Sequence, residues 1–152
     1  MSVVTLHAGI RPAAAADLAP VLGLLTASAL PIAGVAEVFP AGFVVSCDDA
    51  GEVEAVAGVE VHGHVGLLRS VAVRADRRGT GLGQAVSAAA VAWARAAGLT
   101  DLYLLTTTAD RFFPRLGFQS VDRTSLPDIL SESAELRGAC PASAVALHLC
   151  LE

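Results

Sequence analysis

Leu18, Val21, Leu22 and Leu25 recur at three- and four-residue steps, the spacing that places one apolar stripe along a helix. Pro12 suits the opening of that helix and Pro31 its close. A second helix with the same period runs from Leu82 to Ala97, with Val86, Ala90, Trp93 and Ala97 on its apolar face and Gly98 as its stop. Ala33 to Val38 reads as a short helix, and another passes through Phe112 to a stop at Gly117. Between these segments the period changes. Val3–His7, Phe43–Cys47, Glu52–Val61, Val65–Val73, Leu102–Thr107, a segment from Phe118, and Ser143–Leu151 read as strands. Leu102 to Thr107 is apolar at successive positions, the pattern of a central strand covered on two sides.

The order of these elements predicts an α/β fold of mixed topology, with antiparallel strands first and helix crossovers later. Asp48-Asp49-Ala50-Gly51 and His62-Gly63-His64 are the turns of two successive hairpins. The second turn decides a chemical question. A two- or four-residue turn places Glu60 and Arg69 on one face of the sheet, and a three-residue turn separates them.

Composition narrows the functional classes. The 152 residues suit one domain, 1–152, with a single sheet and its covering helices. With 54% hydrophobic and 16% charged residues, the chain is not of the disordered type. The apolar run Ala85–Ala94 is too short to span a bilayer and ends at Arg95, and Asp17, Pro20 and Gly23 interrupt Ala13–Leu30. No positive charge precedes Arg11, so a secretory signal is not expected, and the reading is a soluble, cytoplasmic globule without a membrane partner. A net charge of −5 argues against a nucleic-acid partner held by a basic surface. All ten basic residues are arginine, which excludes lysine Schiff-base chemistry and the Walker lysine. Arg69, Arg74, Arg77, Arg78, Arg95, Arg111 and Arg115 gather in the middle of the chain, as a site for a small anion would require. Cys47, Cys140 and Cys150 are widely spaced, so neither a disulfide framework nor a metal site is expected, and packing is the favoured role of all three.

Arg77-Arg78-Gly79-Thr80-Gly81-Leu82-Gly83 lies between a strand and the strongest helix. Glycines there place backbone N–H groups at a helix N-terminus, where the dipole favours phosphate. The spacing is neither the dinucleotide GxGxxG directly after a strand nor a Walker loop. Arg78-x-x-Gly81-x-Gly83 after Val71-Ala72-Val73 resembles the acetyl-CoA pyrophosphate loop of the GNAT acetyltransferase superfamily. Phe113-Pro114-Arg115-Leu116-Gly117-Phe118 is similar to that family's late YxxxGF-type segment. Leu67–Val73, Leu104–Thr108 and Cys140–Val145 look like its arsenic-resistance-associated N-acetyltransferase branch, and Leu-Leu-Thr-Thr is also similar to N-acetylglutamate synthase domains.

The resemblance implies a mostly antiparallel sheet with helices on both faces and a splayed central strand pair. It implies acetyl-CoA as co-substrate, attack by an amine through a tetrahedral intermediate, and room for a homodimer. The acidic balance of the chain and a carboxylate clamp at Arg69 point to a small-molecule amine that is acidic or amino-acid-like as acceptor. Val71, Ala72, Val73, Arg78, Gly79, Thr80, Gly81, Leu82, Gly83, Phe113 and Arg115 are the implied cofactor-binding residues. A backbone N–H at Val71 would polarise the thioester carbonyl. Glu60 is the first candidate for the base that takes the amine's proton, with its pKa raised by partial burial, and His62 is the second. Arg69, Ser70, Thr106 and Thr107 are the substrate-side candidates. Arg69 has two readings, a clamp for a substrate carboxylate and an internal ion pair with Glu60. Phe113 stands where the family often has a tyrosine that protonates the thiolate, so the acid is open among Tyr103, Thr106, Thr107 and Ser143. The same substitution keeps a second function class in view, a CoA-binding sensor or interaction module with little catalysis.

Overall fold

The computed structural model describes residues 9–106, 112–133 and 145–151. Among these residues seven strands form one sheet: β1 Ile10–Pro12, β2 Phe43–Cys47, β3 Val53–His62, β4 Val65–Val73, β5 Asp101–Thr106, β6 Gln119–Val121 and β7 Val145–Cys150. Their spatial order is β1-β2-β3-β4-β5-β7-β6. Every neighbouring pair is antiparallel except β4 and β5. Helices α1 (Leu18–Ala27) and α2 (Val35–Val38) cover one face, where Val21, Leu25 and Val35 pack on Phe43, Val45, Val56 and Ala72. Helix α3 (Leu82–Ala96) covers the other, packing Val86, Ala89, Ala90 and Ala94 on Val44, Val59, Leu68, Leu102 and Leu104. The short helix α4 (Phe112–Arg115) sends Phe113 into this second core. The expected mixed, mostly antiparallel sheet with helices on both faces is the fold the chain adopts.

Helix α3 forms where alanine and leucine favour it and stops where they end. The Leu99 N–H bonds Ala94 O at 3.1 Å and the Gly98 N–H bonds Arg95 O at 3.1 Å, with Gly98 at φ +86°, the hydrogen-bonded stop that glycine permits. Its buried face differs slightly from the expected one, because Ala97 is exposed and Trp93 half-buried. The N-terminal elements depart further from the expected pattern. Pro12 lies in edge strand β1, where its missing N–H breaks no ladder, and does not open a helix. Helix α1 starts only after a 3-10 turn at Ala15–Asp17, where the Asp17 carboxylate accepts the Ala14 N–H at 2.7 Å. It ends at Ala27, well before Pro31. The strand expected at Val3–His7 lies outside the described residues. β5 alternates instead of being covered on two sides: Leu102 and Leu104 are buried and Tyr103 and Leu105 half-buried.

In the β2–β3 ladder Gly58 lies opposite Phe43, and a Cβ on Gly58 would run into the Phe43 ring. Phe43 is fully packed in the α1-side core and has no room to withdraw. Gly58→Ala is therefore expected to lower stability by roughly 1–3 kcal/mol, the range for overpacking a filled core. Urea unfolding reads this as a lower midpoint at unchanged slope. A midpoint at or above that of wild type would contradict the packing described.

Candidate active site

The β3–β4 ladder changes register once. Val56 faces Ala72 and Gly58 faces Arg69, so Ser70 and Val71 together lie opposite Ala57 and β4 carries an extra residue. Ser70 adopts φ +60°, the left-handed region that non-glycine residues rarely enter. The bulge transposes the faces of the strand. Leu68 before it packs under α3, and Ala72 after it packs under α1, whereas an unbroken period of two would send both the same way. On its other edge β4 pairs with β5 only at Val65, Gly66 and Leu67, and both strands then continue apart. Val71 thus sits where β4 is bulged on one side and parted from its neighbour on the other.

Beyond β4 the chain passes through the turn Ala75–Arg77 into the glycine loop and α3. A cleft of ≈ 470 Å³ opens here, lined by Val71, Ala72, Val73, Arg77, Arg78, Gly79, Gly81, Leu82, Gly83, Gln84 and Arg115. The helix has no side-chain cap. The N–H groups of Gly81, Leu82, Gly83 and Gln84 are those an α-helix cannot bond internally, and all four residues face the cleft. Gly79 at φ +80° and Gly81 at φ +85° need glycine for their backbone conformation, since a Cβ at either would meet no protein atom. Arg78 donates its Nε–H to Val73 O at 3.2 Å. Arg77 pairs with the buried Glu54 at 3.0 Å, and Glu54 also accepts from Ser46 Oγ at 3.0 Å. Uncapped helix amides and three guanidiniums around one cleft suit the pyrophosphate of a coenzyme.

The two-residue turn Gly63-His64 places Glu60 and Arg69 on one face, toward α1. Arg69 Nη1 lies 2.6 Å from Glu60 Oε2, and the Arg69 side chain is 1% exposed. Its Nη2 donates to Pro31 O at 3.2 Å and its Nε to Ser70 Oγ at 3.0 Å. Of the two readings, the internal ion pair is the arrangement present. Glu60 Oε1 also meets His62 Nε2 at 3.1 Å. Burial pushes the Glu60 carboxyl up, but hydrogen bonds from Arg69, His62 and Ser133 and the Arg69 charge outweigh it and hold the group below its usual value. The expected elevation of this pKa is overturned for that reason.

The structure brings together Val71, Ala72, Val73, Arg78, Gly79, Gly81, Leu82, Gly83 and Arg115 around the cleft, and leaves two implied cofactor residues off its walls. Thr80 Oγ1 donates to Arg77 O at 2.6 Å, bracing the loop. Phe113 is buried edge-on to Phe118, with ring centroids 6.0 Å apart. Thr106 ends β5 on the parted side, and Thr107, Ser143 and Cys140 lie outside the described residues. Cys47 is half-buried and packs against the α1-side core, as expected of a small apolar side chain, whereas Cys150 is exposed. Arg77 and Gln84 line the cleft without having been expected; the basic pair and the third position of the helix were available signals. Ser133 reaches Glu60 from far along the chain, and no local pattern marks it. Glu60, Leu67, Tyr103 and His148 are successive partners across four strands, so they form one row on the α1 side. There His148 Nε2 lies 2.7 Å from Asp101 and the His148 ring 4.6 Å from that of Tyr103. Burial, with the Asp101 charge, raises the Tyr103 phenol. Among the described residues no helix is long and apolar enough to cross a membrane.

The chain belongs to the acetyltransferase (GNAT) domain family, whose pattern it matches over residues 40–120, more than half of its length. It is 37% identical over 68 residues to an amino-acid acetyltransferase of Enterobacter sp. (strain 638), a match spanning 45% of this chain and 15% of that protein. Its fold is similar to that of Rv2747 from Mycobacterium tuberculosis, solved in complex with CoA, at TM-score 0.79 and 23% identity over 94% of this chain and 99% of that one. The N-acetylglutamate synthase of Neisseria gonorrhoeae, complexed with coenzyme A and N-acetyl-glutamate, is similar at TM-score 0.77 and 21% identity, over 94% of this chain and 35% of that one. At these identities the structural likenesses are likenesses of fold.

The Glu60–Arg69 pair carries a pH signature. Because the folded carboxyl titrates below its unfolded value of about 4.3, its contribution is complete above that pH and is lost as pH falls through the lower folded value. Asp17 and Asp101, held down by Arg11 and His148, act in the same direction. Glu60→Gln is expected to cost on the order of 3 kcal/mol at pH 7, as for a broken buried pair, and to lose less than wild type on acidification. Thermal unfolding from pH 7 to pH 3 measures both. Parallel curves for the two proteins would contradict the ion-pair assignment.

Proposed function

We propose that the protein transfers the acetyl group of acetyl-CoA to the amine of a small, amino-acid-like molecule. The observation that carries this reading is one cleft shared by the uncapped N-terminus of α3 and the parted, bulged end of β4. In this reading the N–H groups of Gly81 to Gln84, with Arg77, Arg78 and Arg115, hold the pyrophosphate, and the open edge of β4 from Leu68 to Val73 runs beside the pantetheine. The Val71 N–H donates to the thioester oxygen, where negative charge develops. The amine lone pair attacks the carbonyl carbon, the C–S bond breaks, and its electron pair leaves on sulfur. A thiol of pKa about 8.5 departs tolerably as the anion, which suits a site where Phe113 offers no hydroxyl.

Glu60 is the proposed acceptor of the amine's proton, acting through water. Its strand partner Leu67 lies four residues from Val71, about 13 Å of extended chain, and both Glu60 oxygens already have partners. With its pKa held low, Glu60 stays ionised across the neutral range and adds no titration step to kcat between pH 6 and 8. The acceptor class rests on the likeness to an amino-acid acetyltransferase and to an N-acetylglutamate synthase. The likeness of Leu67–Val73 to the arsenic-resistance-associated branch adds amino-phosphonate and arsenical analogues to the acceptors worth testing. Phe113, which has no hydroxyl to protonate the thiolate, favours one rival, a CoA-binding module with little catalysis.

Calorimetry with CoA tests the cleft. Wild type should bind, and Gly81→Glu, which strains a left-handed position of the loop and sets a carboxylate against the phosphates, should abolish binding while the protein remains folded. No heat from wild type at millimolar CoA would end the proposal. Thiol release across amines, amino acids and their phosphonate and arsenical analogues tests the acceptor. An acetylated amino-acid-like product by mass spectrometry supports the enzyme, and CoA binding with background turnover throughout supports the rival. Glu60→Gln should lower kcat roughly 10²-fold, the low end for loss of a general base, with CoA affinity unchanged. Near-full kcat in this variant would remove Glu60 from the proton path.

A further inference from the structure

A serine at φ +60° inside a strand sits in a conformation that costs roughly 1–2 kcal/mol for an L-residue. Something must hold it there. Its side chain accepts a hydrogen bond from Arg69 Nε at 3.0 Å, and the same guanidinium reaches Glu60 on β3 and Pro31 O in the segment after α1. Arg69 is 3% exposed, Ser70 8% and Glu60 6%, so these bonds form away from competing water. A planar fork with donors fixed in direction can tie three separate elements to one point, which a flexible ammonium cannot do. The tie falls on the residue immediately before Val71, whose position on the cleft wall follows from the bulge.

We infer that Arg69 is a positioning residue for acetyl transfer: by bonding Ser70 Oγ it holds Ser70 left-handed and so aims the following amide, the Val71 N–H, at the position of the thioester oxygen. The inference rests on the function proposed above, because the Val71 amide has a target only if acetyl-CoA occupies the cleft. Arg69 touches neither substrate in this arrangement. Its effect passes through the backbone of the bulge.

Arg69→Lys keeps a cation for Glu60 but has no Nε–H at Ser70. Removing an oxyanion donor costs about 10²–10³ in kcat, so misaiming one is expected to cost at least about tenfold, with CoA affinity unchanged. The Val71 amide signal in ¹H–¹⁵N spectra of the ligand-free protein should shift or broaden in the same variant. Glycine enters the left-handed region without penalty. Adding Ser70→Gly to Arg69→Lys should therefore return the Val71 signal and recover most of the lost kcat. Should Arg69→Lys fail to fold, Ser70→Ala removes the same hydrogen bond while leaving the ion pair, and the same losses are expected. An unmoved Val71 signal, or a loss that Ser70→Gly does not repair, overturns the inference. If wild type acetylates nothing, the proposed function fails, and the Val71 signal alone still decides whether Arg69 sets the bulge.

Discussion

β4 has one residue more than the stretch of β3 it pairs with, and the site is laid out around that mismatch. Before the bulge, the residues turned toward α1 are Leu67 and Arg69; after it, Ala72 takes that side while Val71 and Val73 pack toward the α3 side. Without the extra residue Val71 would point into the α1 core and the cleft would lose part of its wall. The parting of β4 from β5 supplies the second condition, a strand edge beyond Leu67 with no ladder partner among the described residues. Together they give a strand closed on one edge by β3, parted from β5 on the other, and leading to the N-terminus of α3.

A buried guanidinium in a strand is a costly way to gain stability. An ion pair taken out of water contributes little net stability against an apolar pair of the same volume, although breaking it is expensive. The Arg69–Glu60 pair is thus better understood through what it fixes than through what it adds to folding. Arg69 joins β3, the Pro31 segment and Ser70. Glu60 in turn engages His62 and Ser133. The same pairing that orders this face also keeps Glu60 ionised and makes it a weaker base than a lone buried carboxylate would be.

The sequence carried the helix period of α3, its glycine stop, the central hairpin and the glycine loop, because each is written in local spacing. It also left the right question open at Arg69, where only the turn length was needed to join it to Glu60. The start of α1 misled for a definite reason. Pro12 is compatible with a first helical turn and equally with an edge strand, and only the pairing of Ile10–Pro12 with β2 distinguishes them. The bulge at Ser70 had no local mark, since serine is not the residue expected at positive φ; it emerges from pairing and from the Arg69 bond. Ser133 at Glu60, and Glu54 behind Arg77, are contacts of the folded chain between residues distant in sequence. The apolar run around Arg69 signalled that its guanidinium needs a partner, and the fold supplies Glu60 as one.

A crystal structure of the complex with acetyl-CoA tests most directly whether one bulged strand and one uncapped helix serve the thioester and the pyrophosphate of the same coenzyme. The pyrophosphate oxygens should lie on the amides of Gly81 to Gln84 and the thioester oxygen at about 3 Å from the Val71 nitrogen, within ordinary hydrogen-bond reach. Acetyl-CoA bound elsewhere, or bound in the cleft with its thioester oxygen turned away from Val71, would contradict this arrangement.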